Sequence, residues 1–425
     1  MVNTSAGQLR YSDLGERLRA PMITRLMNDT LSRAGLISLA AGFTAPETLP
    51  VPEVAVAVAD LLKQQNAAEF LQYGMNAGRP GLRQAVIDRL RNMPGETGVD
   101  GLSARNVMLT TGSQQALYLA MQVLCSPGDR VLVEAPSYFV FLELLAGLGV
   151  EPVSIPVLAD GSTDLEGLKE LLHTWRARGE LARLKAVYIG TYYANPSSRC
   201  WPSAEKAALG GLLRELSPCP VVLEDAAYRE LYYKDFHAAP SVFSLPEYNG
   251  LPVLYCGTFT KSLATGLKVG YAVCNHQPLL DKLLHLKGHH DFGSAHFNQA
   301  IVEHIVASGE YDRLLARTRA YYQRKMEAFD TALNRAGLRA AGWQWASPLG
   351  GLLLWARAPR GMQTSFDSPF YNACLAANIL YVPGDLCFAN GHPHDCIRLS
   401  IGGVKEAQMD EAASALVRAT RSVAD

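Results

Sequence analysis

The chain has no concentrated run of basic residues. Its 39 Lys+Arg and 40 Asp+Glu are spread along 425 positions and leave a formal net charge of −1. Nucleic-acid binding needs a basic stripe or patch to meet phosphates, so that class of partner has nothing to start from. Long apolar runs are missing too. The run around Leu352, Leu353, Leu354 and Trp355 falls far short of the roughly 20 residues that cross a bilayer. The opening segment, MVNTSAGQLRYSDLGERLRAP, lacks an apolar core of signal-peptide length and carries acidic residues early. Cysteine is sparse. Eight are scattered at Cys125, Cys200, Cys219, Cys256, Cys274, Cys374, Cys387 and Cys396, and none forms a CxxC pair. Several stand in apolar, strand-like contexts, which points to buried free thiols in a reducing cytoplasm rather than disulfides or zinc ligands. Internal repeats and low-complexity tracts are absent.

What is present is the make-up of an ordinary globular chain, 48% hydrophobic and 19% charged. At 425 residues it is too long for one ordinary core and suggests a large domain with a smaller one. Near-continuous apolar runs at 106–111, 130–135, 184–190, 221–225, 252–258 and 269–275 predict strands covered on both faces. Helical patterns lie between them, as at 114–125, where Leu117, Met121 and Leu124 recur at helical spacing. Such alternation predicts an α/β fold with a mostly parallel sheet between helices. After about Asn298 the pattern changes to a long helix ending at Gly337, then SPLGGLLLWARA, a helix-like stretch near 370–378, DCIRLSIGG and a closing helix. The expected division is an N-terminal segment at 1–45, a large domain at 46–298 and a small α+β domain at 299–425, with the N-terminal segment packing on the small domain.

Three segments carry chemistry. In LTTGSQQAL, residues 109–117, a strand ends in a small-residue turn and a helix begins. Gly112 admits a ligand close to the backbone, and Ser113 with the first helical N–H groups can hold an anion at the positive helix end. A plain helix cap is the other reading of the same residues. In VVLEDAAYREL, residues 221–231, Asp225 closes a buried-type strand where ligands collect in parallel sheets. It suits a protonated ring nitrogen, with Tyr228 in reach of a ring phenolate; helix capping by Glu224 and Asp225 is equally open. In YCGTFTKSLATGLKVGYAV, residues 255–273, Lys261 follows two hydroxyls, Thr258 and Thr260, between apolar strands. Partial burial lowers an amine's pKa and makes it a nucleophile toward an aldehyde.

These segments occur in this order and spacing in fold-type I pyridoxal-phosphate enzymes. Over nearly its full length the chain resembles the class I/II aminotransferases, and within them the α-aminoadipate and kynurenine aminotransferase subgroup. The matching landmarks are SLAAGFTAPETLP (38–50), LQYGMNAGRPGLRQAV (71–86), TTGSQQAL (110–117), EAPSYFVFL (134–142), YYANPSS (192–198), EDAAYREL (224–231), GTFTKSLATGLKVGY (257–271) and CIRLSIGG (396–403). The resemblance implies a seven-stranded, mostly parallel sheet in the large domain and pyridoxal 5′-phosphate as cofactor. It implies that Lys261 binds the cofactor as a Schiff base and then shuttles a proton, while Asp225 keeps the pyridine nitrogen protonated. Tyr228 and Asn195 would bond the ring oxygen, and Tyr138 would stack on the ring face. Ser113, Gln114, Thr258, Thr260 and Lys268 would hold the phosphate. Tyr73 would reach the phosphate of a neighbouring subunit, which implies a homodimer with shared active sites. Arg398 would clamp the substrate α-carboxylate, Gly42 would face the substrate, and Arg25 resembles a mobile arginine that meets side-chain carboxylates.

Two positions depart from the family pattern. Position 268 is Lys where Arg is usual, so a phosphate meets a point charge rather than a planar fork. The family's NPTG stands here as Asn195-Pro196-Ser197-Ser198, which keeps the asparagine and loses the glycine. His289, His290 and His296 around Asp291, and His392 and His394 with Asp395, match no metal-ligand spacing, so no metal is expected. The stretch HDFGSAHFNQ is expected at a subunit interface near the cofactor, with Ser294 a further phosphate candidate. The expected activity is transfer of an amino group from an L-amino acid to a 2-oxo acid such as 2-oxoglutarate, in a ping-pong cycle. A β-lyase or other carbanion reaction would use the same cofactor-holding residues. A transcription regulator with an aminotransferase-like domain is disfavoured, because only about forty residues precede SLAAGF and they hold no helix-turn-helix pattern.

Overall fold

Runs of aliphatic and β-branched residues become central strands when helices cover both their faces. In the computed structural model, which describes residues 10–33 and 35–424, twelve strands form: β1 (Ile37–Ser38), β2 (Val107–Thr111), β3 (Arg130–Val133), β4 (Glu151–Ser154), β5 (Leu184–Gly190), β6 (Val221–Asp225), β7 (Val253–Thr258), β8 (Val269–Cys274), β9 (Leu353–Arg357), β10 (Ile379–Leu380), β11 (Val382–Pro383) and β12 (Cys396–Ser400). Seven of them make one sheet in the order β2-β8-β7-β6-β5-β3-β4. The sheet has the expected strand count and mostly parallel character. β3, β4, β5, β6 and β7 pair in parallel, and β8 runs antiparallel to β7 and to β2. The exception has a length cause. Ten residues, 259–268, separate β7 from β8, and a parallel return takes a crossover of about a dozen or more. That short return loop is the one carrying Lys261.

Within this sheet, the strand that the sequence pattern did not reveal is β4, Glu-Pro-Val-Ser, at the edge with one residue exposed and three partly buried. An edge strand tolerates Pro and needs no continuous apolar run. The cysteines form no disulfides; five are buried, Cys125 and Cys200 are intermediate, and Cys219 is exposed.

The helix Glu310–Ala336 buries Tyr311, Leu314, Leu315, Thr318, Tyr322, Met326 and Phe329, a stripe at three- and four-residue spacing, and stops at Gly337 with φ of 89°. It packs on the closing helix Met409–Ala424. Beside them β9, β11 and β12 form a three-stranded antiparallel sheet in the order β11-β12-β9. The segment before the large sheet is tied to these elements: β1 pairs with β10, and the Ala45 amide donates to the Tyr322 hydroxyl at 2.8 Å. Among the described residues no helix is long and apolar enough to cross a membrane.

Candidate active site

Because β2, β6 and β7 point the same way, their carboxyl ends, Thr111, Asp225 and Thr258, open on one edge of the sheet. That edge is where open α/β sheets bind ligands. There a cavity of about 460 Å³ brings together Ser113, Gln114, Tyr138, Asn195, Asp225, Tyr228, Thr258, Thr260, Lys261, Lys268, Arg398 and Gly42. A larger cavity of about 680 Å³ lies across the 193–201 loop, and none of those residues lines it. Convergent charge, rather than size, marks the smaller one as the candidate reaction site.

Lys261 projects from the β7–β8 loop, and its Nζ donates to the Gly42 carbonyl at 2.8 Å. Burial, with the Arg398 and Lys268 cations adding to it, lowers its amine to about 8. At pH 7 roughly a tenth of such amines are neutral and nucleophilic, against far fewer than one in a thousand at the ordinary lysine value. The rate at which apo-protein captures pyridoxal phosphate covalently should therefore climb through neutral pH and level off above about 8. Stopped-flow absorbance across pH 6–10 checks this, and a rise that continued to pH 10 would contradict it.

The end of the cavity nearest β2 suits an anion. The helix Gly112–Leu124 starts there, with no side chain capping it. Gly112 takes φ of +66°, and a side chain on Gly270 would collide with the Gly112 backbone, so two glycines let the first helical N–H groups stand open. The Thr258 and Thr260 hydroxyls lie 2.8 Å apart, the Thr260 amide donates to Thr258 Oγ1 at 3.0 Å, and Lys268 adds a cation from a left-handed backbone (φ 55°). The buried Gln114 Oε1 has no hydrogen-bond partner among the described residues.

Asp225 closes the middle of the site. Its Oδ1 accepts from the Ala227 amide at 3.0 Å and its Oδ2 from the Tyr188 hydroxyl at 2.8 Å. Burial pushes its carboxyl above the ordinary range, and those two donors oppose the rise. Tyr228 is pushed up to about 12, first by burial, with the Arg398 cation countering. Both phenols, Tyr228 and Tyr138, therefore stay protonated at neutral pH.

Arg398, on β12, is only 3% exposed. Its Nη1 donates to Asn195 Oδ1 at 3.1 Å and its Nη2 to the Ala40 carbonyl at 2.6 Å, while its buried Nε has no partner among the described residues. Burial lowers its pKa, yet a guanidinium remains cationic at any physiological pH. A buried cation that, among the described residues, is bonded to neutral oxygens alone is expensive without a counter-anion. The site therefore offers a cation for a carboxylate, an anion cradle at the β2 end, an amine and a carboxylate between them. Those are the complements of pyridoxal phosphate and an amino acid, and the donor set fits both.

Three expected residues do not line this cavity. Arg25 lies on the helix Met22–Ser32, whose Ile23 and Met27 do line the cavity, but its guanidinium points outward to Asp367 at 3.5 Å and over the Phe366 ring at 4.1 Å. Tyr73 is 78% exposed and meets Phe292 edge-on at 5.9 Å. Ser294 also turns aside, donating to Asp291 Oδ2 at 2.8 Å. His290 meets Gln115, and His296 meets Arg79 and Gln72, while His392 and His394 meet edge to face with ring centroids 4.4 Å apart. In the Asn195–Ser198 turn, Ser198 itself adopts a left-handed φ of 55° and its hydroxyl donates to the Leu353 carbonyl at 2.6 Å. Tyr188 and the Ala40 carbonyl were invisible as site groups in the sequence, a tyrosine in an apolar strand looking like packing.

A fold-type I sheet with an amine, a carboxylate and an anion cradle at its carboxyl edge defines a pyridoxal-phosphate-dependent enzyme that transfers amino groups. The chain belongs to the aminotransferase class I and II family, whose model matches residues 34–416. It is similar to the 2-aminoadipate transaminase of Thermus thermophilus, 32% identical over 408 residues that cover 96% of this chain and 95% of that protein. Among solved structures, the α-aminoadipate aminotransferase of T. thermophilus, complexed with N-(5′-phosphopyridoxyl)-L-leucine, gives a TM-score of 0.82 at 31% identity, covering 97% of this chain and 98% of that one. The kynurenine aminotransferase of Pyrococcus horikoshii gives 0.87 at 26% identity, covering 98% of each. The likeness thus falls in the α-aminoadipate and kynurenine aminotransferase subgroup.

Proposed function

We propose that the chain moves the amino group of an L-amino acid to a 2-oxo acid such as 2-oxoglutarate by a ping-pong cycle. The observation that carries this is the meeting of Lys261, Asp225 and the buried Arg398 cation in one cavity. When bound, pyridoxal phosphate supplies an aldehyde for the amine and a ring that takes up the electron pair of the substrate's α C–H bond. Ser113, Gln114, Thr258, Thr260 and Lys268 would hold its phosphate. Asp225 would accept from the ring nitrogen, Tyr228 and Asn195 would donate to the ring oxygen, and Tyr138 would cover the ring face.

Arg398 receives the substrate α-carboxylate as a forked pair, with Asn195 beside it. That contact fixes which bond at the α-carbon stands over Lys261. Lys261 Nζ would be the proton carrier, taking up the α-proton as a neutral amine and giving it back from the ammonium so formed, so that the amine ends neutral again. The Gly42 carbonyl, 2.8 Å from Nζ, steadies the amine between strokes. Arg25 would meet a side-chain carboxylate only after leaving Asp367. Tyr73, with its ring in solvent, supports a homodimer in which it reaches the phosphate held by a second copy. The division into 1–45, 46–298 and 299–425 and a cytoplasmic location complete the reading.

Mixing the yellow holoenzyme with single amino donors, without any oxo acid, tests it. A suitable donor should convert the cofactor to its pyridoxamine form and release one oxo acid, and 2-oxoglutarate should then restore the original spectrum. Release of ammonia and pyruvate, with no pyridoxamine form from any donor, would replace this reading with a lyase.

A further inference from the structure

Asp225 is not held by its own loop alone. Besides the Ala227 amide, the Tyr188 hydroxyl bonds its Oδ2 at 2.8 Å. Tyr188 stands on β5, the strand next to β6; in their register Tyr188 pairs with Leu223, and Gly190 with Asp225. The side chain is 2% exposed, and its ring stacks on Phe141 with centroids 4.3 Å apart and planes at 29°. Its surroundings are the apolar layer of Val131, Val133, Phe141 and Leu223. Packing there asks only for a phenylalanine. A hydroxyl buried among such groups is costly unless it is bonded, and the acceptor it has is the carboxylate of the site.

The neighbouring carboxyl explains why that donor matters. Glu134 is also buried, accepting from the Gly190 amide at 2.9 Å and from Trp201 Nε1 at 3.3 Å. Burial drives it strongly toward its neutral form, and the charge on Asp225 adds to that push. Two neighbouring buried carboxyls do not both ionise readily. The one with a phenol and an amide pointed at it, next to the cavity, is Asp225.

We infer that Tyr188 is a positioning residue of this enzyme: its hydroxyl aims the Asp225 carboxylate across the sheet and stabilises its negative charge, so that Asp225 presents an acceptor to the ring N–H of the cofactor. The inference rests on the proposed role of Asp225. It adds a residue that never touches cofactor or substrate and acts through another side chain.

The test compares two ligands on the folded apo-protein: pyridoxal phosphate, and its analogue with carbon in place of the ring nitrogen. Tyr188→Phe should weaken pyridoxal phosphate about tenfold, the size of one hydrogen bond to a charged group. It should leave the affinity for the ring-carbon analogue within about twofold, because that analogue offers Asp225 no N–H. In the holoenzyme kcat should fall by a similar factor while KM for the amino donor holds. Phe141→Leu, which loosens the same stack without touching the hydroxyl, should lower thermal stability and shift both ligands alike. Equal weakening of both ligands by Tyr188→Phe, no weakening at all, or a selective loss reproduced by Phe141→Leu would each overturn the inference. If the wild-type protein binds no pyridoxal phosphate, the proposed function falls instead.

Discussion

Replacing Lys261 by alanine will abolish covalent capture of the cofactor and cut amino-group transfer by about ten-thousandfold, the upper range for loss of a positioned proton carrier. Two tasks vanish together. The amine that takes the aldehyde is gone, and with it the nitrogen beside the Gly42 carbonyl that moves a proton at the substrate α-carbon. Binding should survive, because the anion cradle at Ser113, Thr258, Thr260 and Lys268 does not depend on the amine. The measurement is a pair: cofactor retained after dialysis, and single-turnover rate with a good amino donor. Retained cofactor with lost turnover matches the assigned chemistry. Turnover near wild type would remove Lys261 from the mechanism.

The second large effect belongs to Arg398. Arg398→Leu keeps most of the buried volume but strands Asn195 Oδ1 and the Ala40 carbonyl, which now receive its two Nη donors. Loss of one partner of a desolvated charge pair costs about 3 kcal/mol, so kcat/KM for amino acids should fall by a hundredfold or more. Arg398→Lys keeps the charge but not the fork, and should recover only part of the loss. The discriminating substrate is a primary amine that lacks the carboxylate. On it the wild type and Arg398→Leu should be equally poor. If the substitution harms amine and amino acid to the same degree, Arg398 acts on the fold and not on the α-carboxylate.

Most of the site was readable because its parts lie in short, locally marked segments. Lys261 stands between two strands with hydroxyls just before it; Asp225 ends a strand that is buried along its length apart from that last residue. Both signals survive without knowledge of tertiary contacts. Central strands such as β5 and β7 were legible for the same reason, since burial on both faces writes an unbroken apolar run. β4 was not, because an edge strand with Glu151 and Pro152 carries no such run.

What stayed hidden depends on rotation and long-range contact. Ile23 and Met27 lie four apart on one helical face and line the cavity, while Arg25, two positions along, faces away toward Asp367. A motif match gives the residue and not the face. The Ala40 carbonyl and Arg398 meet across 358 positions, and no local pattern announces that. Tyr188 differs from a packing phenylalanine by one oxygen, whose partner lies 37 residues away.

The central claim is that Lys261 is the amine that takes the cofactor. Borohydride reduction of the yellow holoenzyme, followed by proteolysis and mass mapping, tests it most directly. One phosphopyridoxyl group should appear per chain, on the peptide containing Lys261, and none on Lys268 or Lys287. Fixation on another lysine, or no fixation in a protein that still transfers amino groups, would contradict the account.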